Sequence, residues 1–319
     1  MGRGLVFLYE DLHPHWVDLY RDSKLETLGV HMIALPGTNS VNCLIDALEK
    51  EGGRDHIDAL EQAGVKVEYE LHAGEWLLPR ELFGEHPEYF RMNQDGVRTN
   101  DVNFCPASRE ALDIVADRAE KLANILRQKS HRYYLWLDDV DNGSCYCEHC
   151  RNLSSADQYI LILEAILRGL RRYDPEAMLA FLAYGTVLTV PSRVPEGIFL
   201  EFAPMTRNHD KPITSSDEPR AVAYLELLDK LLKVFRVEEA EVLEYWLDNA
   251  LFSGYHYPPV KVPFNAPVCE ADTAYYTSLG ISTVKTFASY IGGTYFDLHG
   301  EPPIREYGEI LRKYIPDQK

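Results

Sequence analysis

Basic residues are scarce in this 319-residue sequence: 32 Lys and Arg stand against 50 Asp and Glu, a formal net charge of −18. No Lys/Arg cluster offsets that deficit, and phosphate backbones are gripped by basic faces, so a nucleic-acid partner is not expected. Long apolar runs are missing too. None approaches the roughly 18 residues needed to span a bilayer, which removes a membrane-spanning helix. The first residues, MGRGLVFLYEDLHPHW, reach Glu10 and Asp11 before any small-residue cleavage site, so they do not read as an export signal. The expectation is a soluble, cytoplasmic chain with no membrane partner. No G-x-G-x-x-G follows the first apolar run, where a dinucleotide fold would carry it. No linker or low-complexity stretch divides the chain, so one domain over 1–319 is expected. Cysteine is sparse at six, yet three of the six crowd into residues 145–150.

What is present is alternation. Short β-type runs at 4–10, 30–36, 65–72, 132–139, 177–184, 197–204, 241–248 and 281–289 are separated by longer stretches with apolar residues three or four apart. The helical stretches include 16–29, 55–64, 109–128, 155–173, 218–235 and 303–314, and Gly29, Gly64 and Gly280 are placed to end helices before the next strand. Eight βα units in a chain of this length, with 46% hydrophobic residues to fill a core, predict an α/β fold, a single (β/α)8 TIM barrel.

Chemistry in such a barrel belongs at the C-terminal ends of the strands. In VKVEYELH the alternation sets Val67, Tyr69 and Leu71 toward the helices and Glu68, Glu70 and His72 toward the lumen. The same parity applied to EVLEYWLD sends Glu244, Trp246 and Asp248 inward, with Leu243, Tyr245 and Leu247 outward. Asp138 and Asp139 end the fourth strand, Tyr184 the fifth, and Glu201 lies on the sixth. Convergent acids with Trp76, Tyr184, Trp246 and Tyr290 close by suggest a carbohydrate site. Carboxyls supply acid, base or nucleophile, and aromatic faces pack on pyranose rings. A lone acid at a strand end is more often a helix cap or a solvated loop residue, so the weight rests on the set. Within it, Asp138 or Asp139 with Glu244 are the catalytic candidates, and Glu70, His72, Trp76, Tyr184, Glu201, Trp246, Asp248 and Tyr290 the substrate-binding ones.

The segment WLDDVDNGSCYCEHCRNL sets Cys145, Cys147 and Cys150 just beyond those aspartates. Three close thiolates could wrap one ion, and Cys105 in NFCPAS is the best fourth ligand for a structural zinc, with His149 a weaker one. A disulfide and unligated thiols are the other readings. Catalysis itself calls for no cofactor in this scheme. The cysteines would staple the loop that carries the acids, as neighbours of the chemistry.

HPEYFRMNQDGVR (86–98), FCP (104–106), the D-N-G-x-C-x-C-x-x-C run (141–150), FLAYGTVLTVP (181–191) and VLEYWLDN (242–249) occur in that order. Together they resemble the TIM-barrel domain of a family associated with glycoside hydrolase family 163, over roughly residues 65–290. The resemblance implies an endo-β-N-acetylglucosaminidase-like activity on a β-linked oligosaccharide. It also implies roles for Asp139 or Asp141, Tyr184 and Glu244, and it carries over the four cysteines. A retaining pair of carboxyls sits about 5–5.5 Å apart and an inverting pair about 6.5–9.5 Å, while a substrate-assisted route would use Asp138 and Asp139 together. Two rivals belong to other classes: a metal-dependent hydrolase or isomerase built on His72, Glu70 and a strand-end Asp, and a non-catalytic carbohydrate-binding barrel. The sequence leaves self-association into a homo-oligomer open.

Overall fold

The computed structural model describes residues 2–33 and 38–317. Eight strands, β1 (Gly2–Leu8), β2 (Thr27–His31), β3 (Lys66–His72), β4 (Arg132–Trp136), β5 (Met178–Ala183), β6 (Ile198–Phe202), β7 (Glu241–Glu244) and β8 (Thr283–Phe287), pair in parallel and in sequence order, and β8 closes on β1. The helices are α1 (His15–Ser23), α2 (Ser40–Glu49), α3 (Asp55–Gln62), α4 (Gly74–Leu77), α5 (Arg109–Leu126), α6 (Ser155–Tyr173), α7 (Pro219–Leu231), α8 (Asn249–Phe252), α9 (Ala266–Ser278), α10 (Gly293–His299) and α11 (Ile304–Tyr314). The molecule is a single (β/α)8 barrel. No helix among the described residues is long and apolar enough to cross a membrane.

Side-chain caps start the long helices that brace the fourth βα unit. Ser108 accepts from the Ala111 amide at the head of α5, and Ser154 accepts from the Asp157 amide at the head of α6. The two helices then touch at Gly169, where a Cβ would lie 1.9 Å from the Ala116 carbonyl oxygen.

One strand expectation shifts. The second strand begins three residues earlier than expected, so Gly29 is no helix cap: it lies in β2, paired with Val6 and Glu68. It is small because a Cβ there would meet the Glu70 carboxylate at 2.3 Å. Residues 34–36 of the expected strand lie outside the described residues. Gly64 and Gly280 do follow α3 and α9 in left-handed conformation, at φ +91° and +94°.

The lumen has two storeys. Below, the Lys285 ammonium contacts Glu68 and Glu70 at 2.8 Å each and Glu241 at 3.5 Å, and Arg132 reaches Glu241 at 2.8 Å. Above, Trp136, Leu182, Leu243 and Tyr245 pack into an apolar layer, while Tyr134 and Phe199 of the same cluster lie lower, their rings 4.0 Å from the Lys285 ammonium and 3.6 Å from the Arg132 guanidinium. The storeys are joined by Trp136, whose indole donates to Glu201 at 2.8 Å.

Candidate active site

A cavity of about 280 Å³ opens above the apolar layer at the C-terminal ends of the strands. Its polar lining comes from His31 and His72 at the ends of β2 and β3, Asp139 after β4, Tyr184 after β5, Asp248 after β7 and Ser289 after β8. Trp136, Tyr245, Tyr255 and Phe287 supply the aromatic surface.

Each polar group is held by a neighbour. The Tyr184 hydroxyl donates to Asp139 Oδ1 at 2.9 Å. His31 Nδ1 faces the Glu70 carbonyl and His72 Nδ1 faces the Leu137 carbonyl. A carbonyl only accepts, so each Nδ1 carries the proton, and in the neutral ring Nε2 is left as acceptor. Burial, helped by His72, pushes the His31 pKa down to about 4, so His31 is neutral at pH 7. Asp248 is 5% exposed, and its Oδ1 has no hydrogen-bond partner. Burial raises its carboxyl to about 6, against opposition from the Ala250 and Leu251 amides and the Ser289 hydroxyl. A second buried acid, Asp11, accepts from the Tyr290 amide at 2.7 Å and is lifted by burial to about 7.

The site expected from sequence is partly rearranged. The β3 parity is as expected: Val67, Tyr69 and Leu71 join the outer core, while Glu68 and Glu70 meet Lys285 in the lumen. On β7 it is reversed. Leu243 and Tyr245 face the lumen, whereas Glu244 points out, between the barrel and α9. There it accepts from Arg207 at 2.9 Å and from the Tyr276 hydroxyl at 2.5 Å, fully buried and away from the cavity. Trp246 also faces out, its indole donating to Asp272 at 3.1 Å. Asp248 still reaches the mouth because β7 stops at Glu244 and the chain turns before α8, which breaks the alternation.

Asp138 is turned away from Asp139. Its carboxylate takes the Arg80 guanidinium, the Asn103 amide at 2.5 Å and the Glu75 amide at 3.1 Å, so it fastens loops. Trp76 is buried beside α5, its indole on Asn42 at 2.9 Å and the Arg118 guanidinium 4.2 Å above its ring. Glu70 and Glu201 are fully buried beneath the cavity and do not line it. Tyr290 sits outside the lining as well, its ring against Tyr257 at 4.9 Å.

The loops after β3 and β4 meet at sulfur. Cys105, Cys145, Cys147 and Cys150 are buried, and their Sγ atoms all lie within 4.8 Å of one another. None is disulfide-bonded, and His149 is exposed beside Glu148 instead of turned toward them. Among the described residues this is the one group of three or more His, Cys, Asp or Glu side chains whose ligand atoms converge. The His72, Glu70 and aspartate set expected for a catalytic metal does not converge.

A family model matches residues 49–285 of the chain, from the end of α2 into β8, leaving out β1 and β2. The chain belongs to that family, a domain of unknown function (DUF4838). No curated protein matches it. Among solved structures, the DUF4838 barrel is similar to the cold-adapted β-galactosidase of Rahnella sp. R3, with a TM-score of 0.62, 13% identity, and coverage of 99% of this chain and 56% of that one. The β-galactosidase of the psychrophilic Marinomonas ef1 follows at TM-score 0.57 and 12% identity, covering 98% of this chain and 59% of that one. A Bacteroides ovatus GH5 xyloglucanase overlays at TM-score 0.52 and 14% identity, covering 99% of this chain and 75% of that one. At these identities the likeness is one of fold, and the chain spans little more than half the length of either β-galactosidase. The family match takes in Asp139, Tyr184, Asp248 and all four clustered cysteines, while Asp11, His31 and Ser289 fall outside it. Sequence reasoning passed over His31 and Tyr245; their signal was the parity of strands whose ends were misplaced.

Proposed function

We propose that this DUF4838 barrel is a glycoside hydrolase that cleaves a β-linked oligosaccharide, with Asp139 and Asp248 as its working carboxyls. The observation that carries the reading is the pair itself: two acids, after β4 and β7, line one aromatic-walled cavity at the mouth of the barrel. Such a pair is the minimal equipment for glycoside hydrolysis. Asp248, raised by burial to about 6, is suited to hold a proton at mildly acidic pH and give it to the leaving glycosidic oxygen. Asp139 is the more exposed of the two, oriented by the Tyr184 hydroxyl, and takes the part of nucleophile or of base toward water. The His31 and His72 rings, fixed through Nδ1, offer Nε2 to sugar hydroxyls, and Trp136, Tyr245 and Tyr255 offer ring faces to the apolar face of a pyranose.

Two likenesses support this reading. The same architecture carries the β-galactosidases and the xyloglucanase named above. The sequence resemblance to glycoside hydrolase family 163 favours an N-acetylglucosamine-containing substrate. A substrate-assisted route through adjacent Asp138 and Asp139 is disfavoured, because Asp138 is engaged by Arg80.

The test is sugar release from aryl β-glycosides, aryl β-N-acetylglucosaminides and N-glycans by the wild type and by Asp139→Asn, Asp248→Asn and Glu244→Gln. Asp139→Asn and Asp248→Asn should each lower turnover by roughly 10²-fold or more, as loss of an acid–base group does, while Glu244→Gln retains it. Full activity in Asp248→Asn would remove that residue from the chemistry. Sugar binding without release from any substrate would make this a binding barrel.

A further inference from the structure

We infer that Cys105, Cys145, Cys147 and Cys150 form a closed structural zinc site. Four sulfurs around one Zn²⁺ at about 2.3 Å sit at the corners of a tetrahedron whose edges are about 3.8 Å. Cys105 Sγ lies 3.8 Å from Cys147 Sγ and 3.9 Å from Cys150 Sγ, and no pair in the set is further apart than 4.8 Å. A disulfide needs sulfurs about 2.05 Å apart and would engage only two at a time, which gives no reason for four to converge on one point.

The surroundings are those of a ligand set. The Met92 amide points at Cys145 Sγ at 3.4 Å. The amides of Cys150 and Arg151 both turn onto the Cys147 carbonyl, at 3.0 and 2.9 Å, folding C-x-x-C into a tight knuckle. Gln158 of α6 clamps that loop from beneath, accepting from the Cys145 amide at 2.8 Å and donating to the carbonyls of Cys145 and Cys150 at 3.1 and 3.2 Å. Apart from the Met92 contact, the loop is shaped by hydrogen bonds that do not involve sulfur, and the four thiols are presented ready-made. An all-thiolate tetrahedral donor set selects zinc over hard cations and leaves no open position for substrate. Binding forms four Zn–S bonds and releases the thiol protons to solvent.

The site also has a job in the fold. Cys105 comes from the loop after β3 and the other three from the loop after β4, so one ion joins two loops at the barrel mouth. Two residues before Cys105, Asn103 accepts from the Asp138 amide at 2.9 Å and donates its own amide to the Asp138 carboxylate at 2.5 Å, and its side chain also reaches the Gly143 carbonyl at 3.2 Å. Asp139 is the next residue. Zinc would therefore hold the backbone that carries Asp139 without touching the cavity, which makes the cysteines positioning residues.

The experiment needs no substrate, so it stands or falls apart from the glycosidase reading. Elemental analysis of the purified full chain should find one zinc per chain, absent from Cys105→Ser/Cys150→Ser. Protein produced with Co²⁺ should show the thiolate charge-transfer and strong d–d absorption of a tetrahedral sulfur site, and this spectrum is read on unmutated protein. Chelation should lower the Tm by at least about 5 °C, and added zinc should restore it. Folded, metal-free protein whose Tm ignores both chelator and zinc would overturn the inference. So would iron in place of zinc, or a native mass showing a disulfide among the four.

Discussion

Asp248 shows one side chain pulled two ways, upward by burial and downward by the Leu251 and Ala250 amides and the Ser289 hydroxyl. Its carboxyl is raised from 3.8 to about 6, so the folded chain holds this proton more tightly than the unfolded chain does. The stability that follows is fully present below pH 3.8 and is lost as pH rises through 6. At pH 8 the folded state carries an ionised, buried carboxylate whose Oδ1 is unpartnered. Asp248→Asn removes that charge and should raise stability at pH 8 by on the order of 1–3 kcal/mol, since one pKa unit corresponds to about 1.4 kcal/mol. The gain should vanish near pH 4, where the wild-type carboxyl is protonated in the fold. Thermal unfolding of both proteins at the two pH values checks this. Under the proposed mechanism the same substitution removes turnover, and wild-type activity should decline as pH passes about 6. A gain of equal size at both pH values would mean that shape, and not charge, limits stability at this residue.

At the scale of elements, all eight strands were legible in the sequence, because each is a short apolar run between turn residues, and the closed barrel follows from their count and order. The face presented by β7 was not legible. Reading alternation through Trp246 and Leu247 assumes a strand where the chain has already turned, and it treats Glu244 as an acid seeking the lumen. The partner that draws Glu244 outward is Arg207, on the loop after β6, shared at 2.6 Å with Asp272 of α9. The same network hid α9 itself, since its inward face carries Asp272 and Thr273 and breaks the apolar period. The cysteine set was readable because ligand spacing within 145–150 is local, and NFCPAS supplied the missing fourth. A consequence at this scale concerns Arg207→Met, which leaves Glu244 and Asp272 buried without their shared cation. Removing one partner of such a group costs about 3–5 kcal/mol, so urea unfolding should show a loss of that size. Glu244→Gln keeps the Arg207–Asp272 pair and relieves one carboxylate of the other, and should cost less than half as much. If the two variants lose equal stability, Arg207 is not the keystone between β7 and α9.

For the molecule as a whole, the barrel lumen encloses more acid than base. Lys285 and Arg132 face Glu68, Glu70, Glu201 and Glu241. Protonation absorbs the excess. Glu70 is raised to about 7, by burial first and against the pull of Lys285, and burial with the charges of Glu70 and Glu241 lifts Glu201 well above the usual range. Burial works to raise Glu241 too, but Lys285 and Arg132 hold it below its ordinary value. Asp11 near 7 and Asp272 near 6 are shifted the same way as Glu70, again chiefly by burial. Each raised carboxyl contributes stability that is complete below its unfolded pKa and fades as pH climbs through its folded one. Carboxyls held low, Glu241 among them, are the opposite case; Asp101, held at about 2 by Arg91 and Thr99 against burial, loses its contribution as pH falls through 2. The lowered carboxyls withdraw their stability on the acid side and the buried, raised ones withdraw theirs as pH climbs through 6 and 7, so global stability should peak in mildly acidic solution, near pH 5, and decline toward pH 8. Lys285→Met exposes the cause. At pH 8 it strands ionised glutamates in the lumen and should cost about 3–5 kcal/mol, while at pH 5 those glutamates take up protons and the loss should be markedly smaller. Denaturant unfolding of wild type and variant at both pH values separates the accounts: a loss independent of pH would assign Lys285 a packing role and leave the acid excess of the lumen without effect on stability.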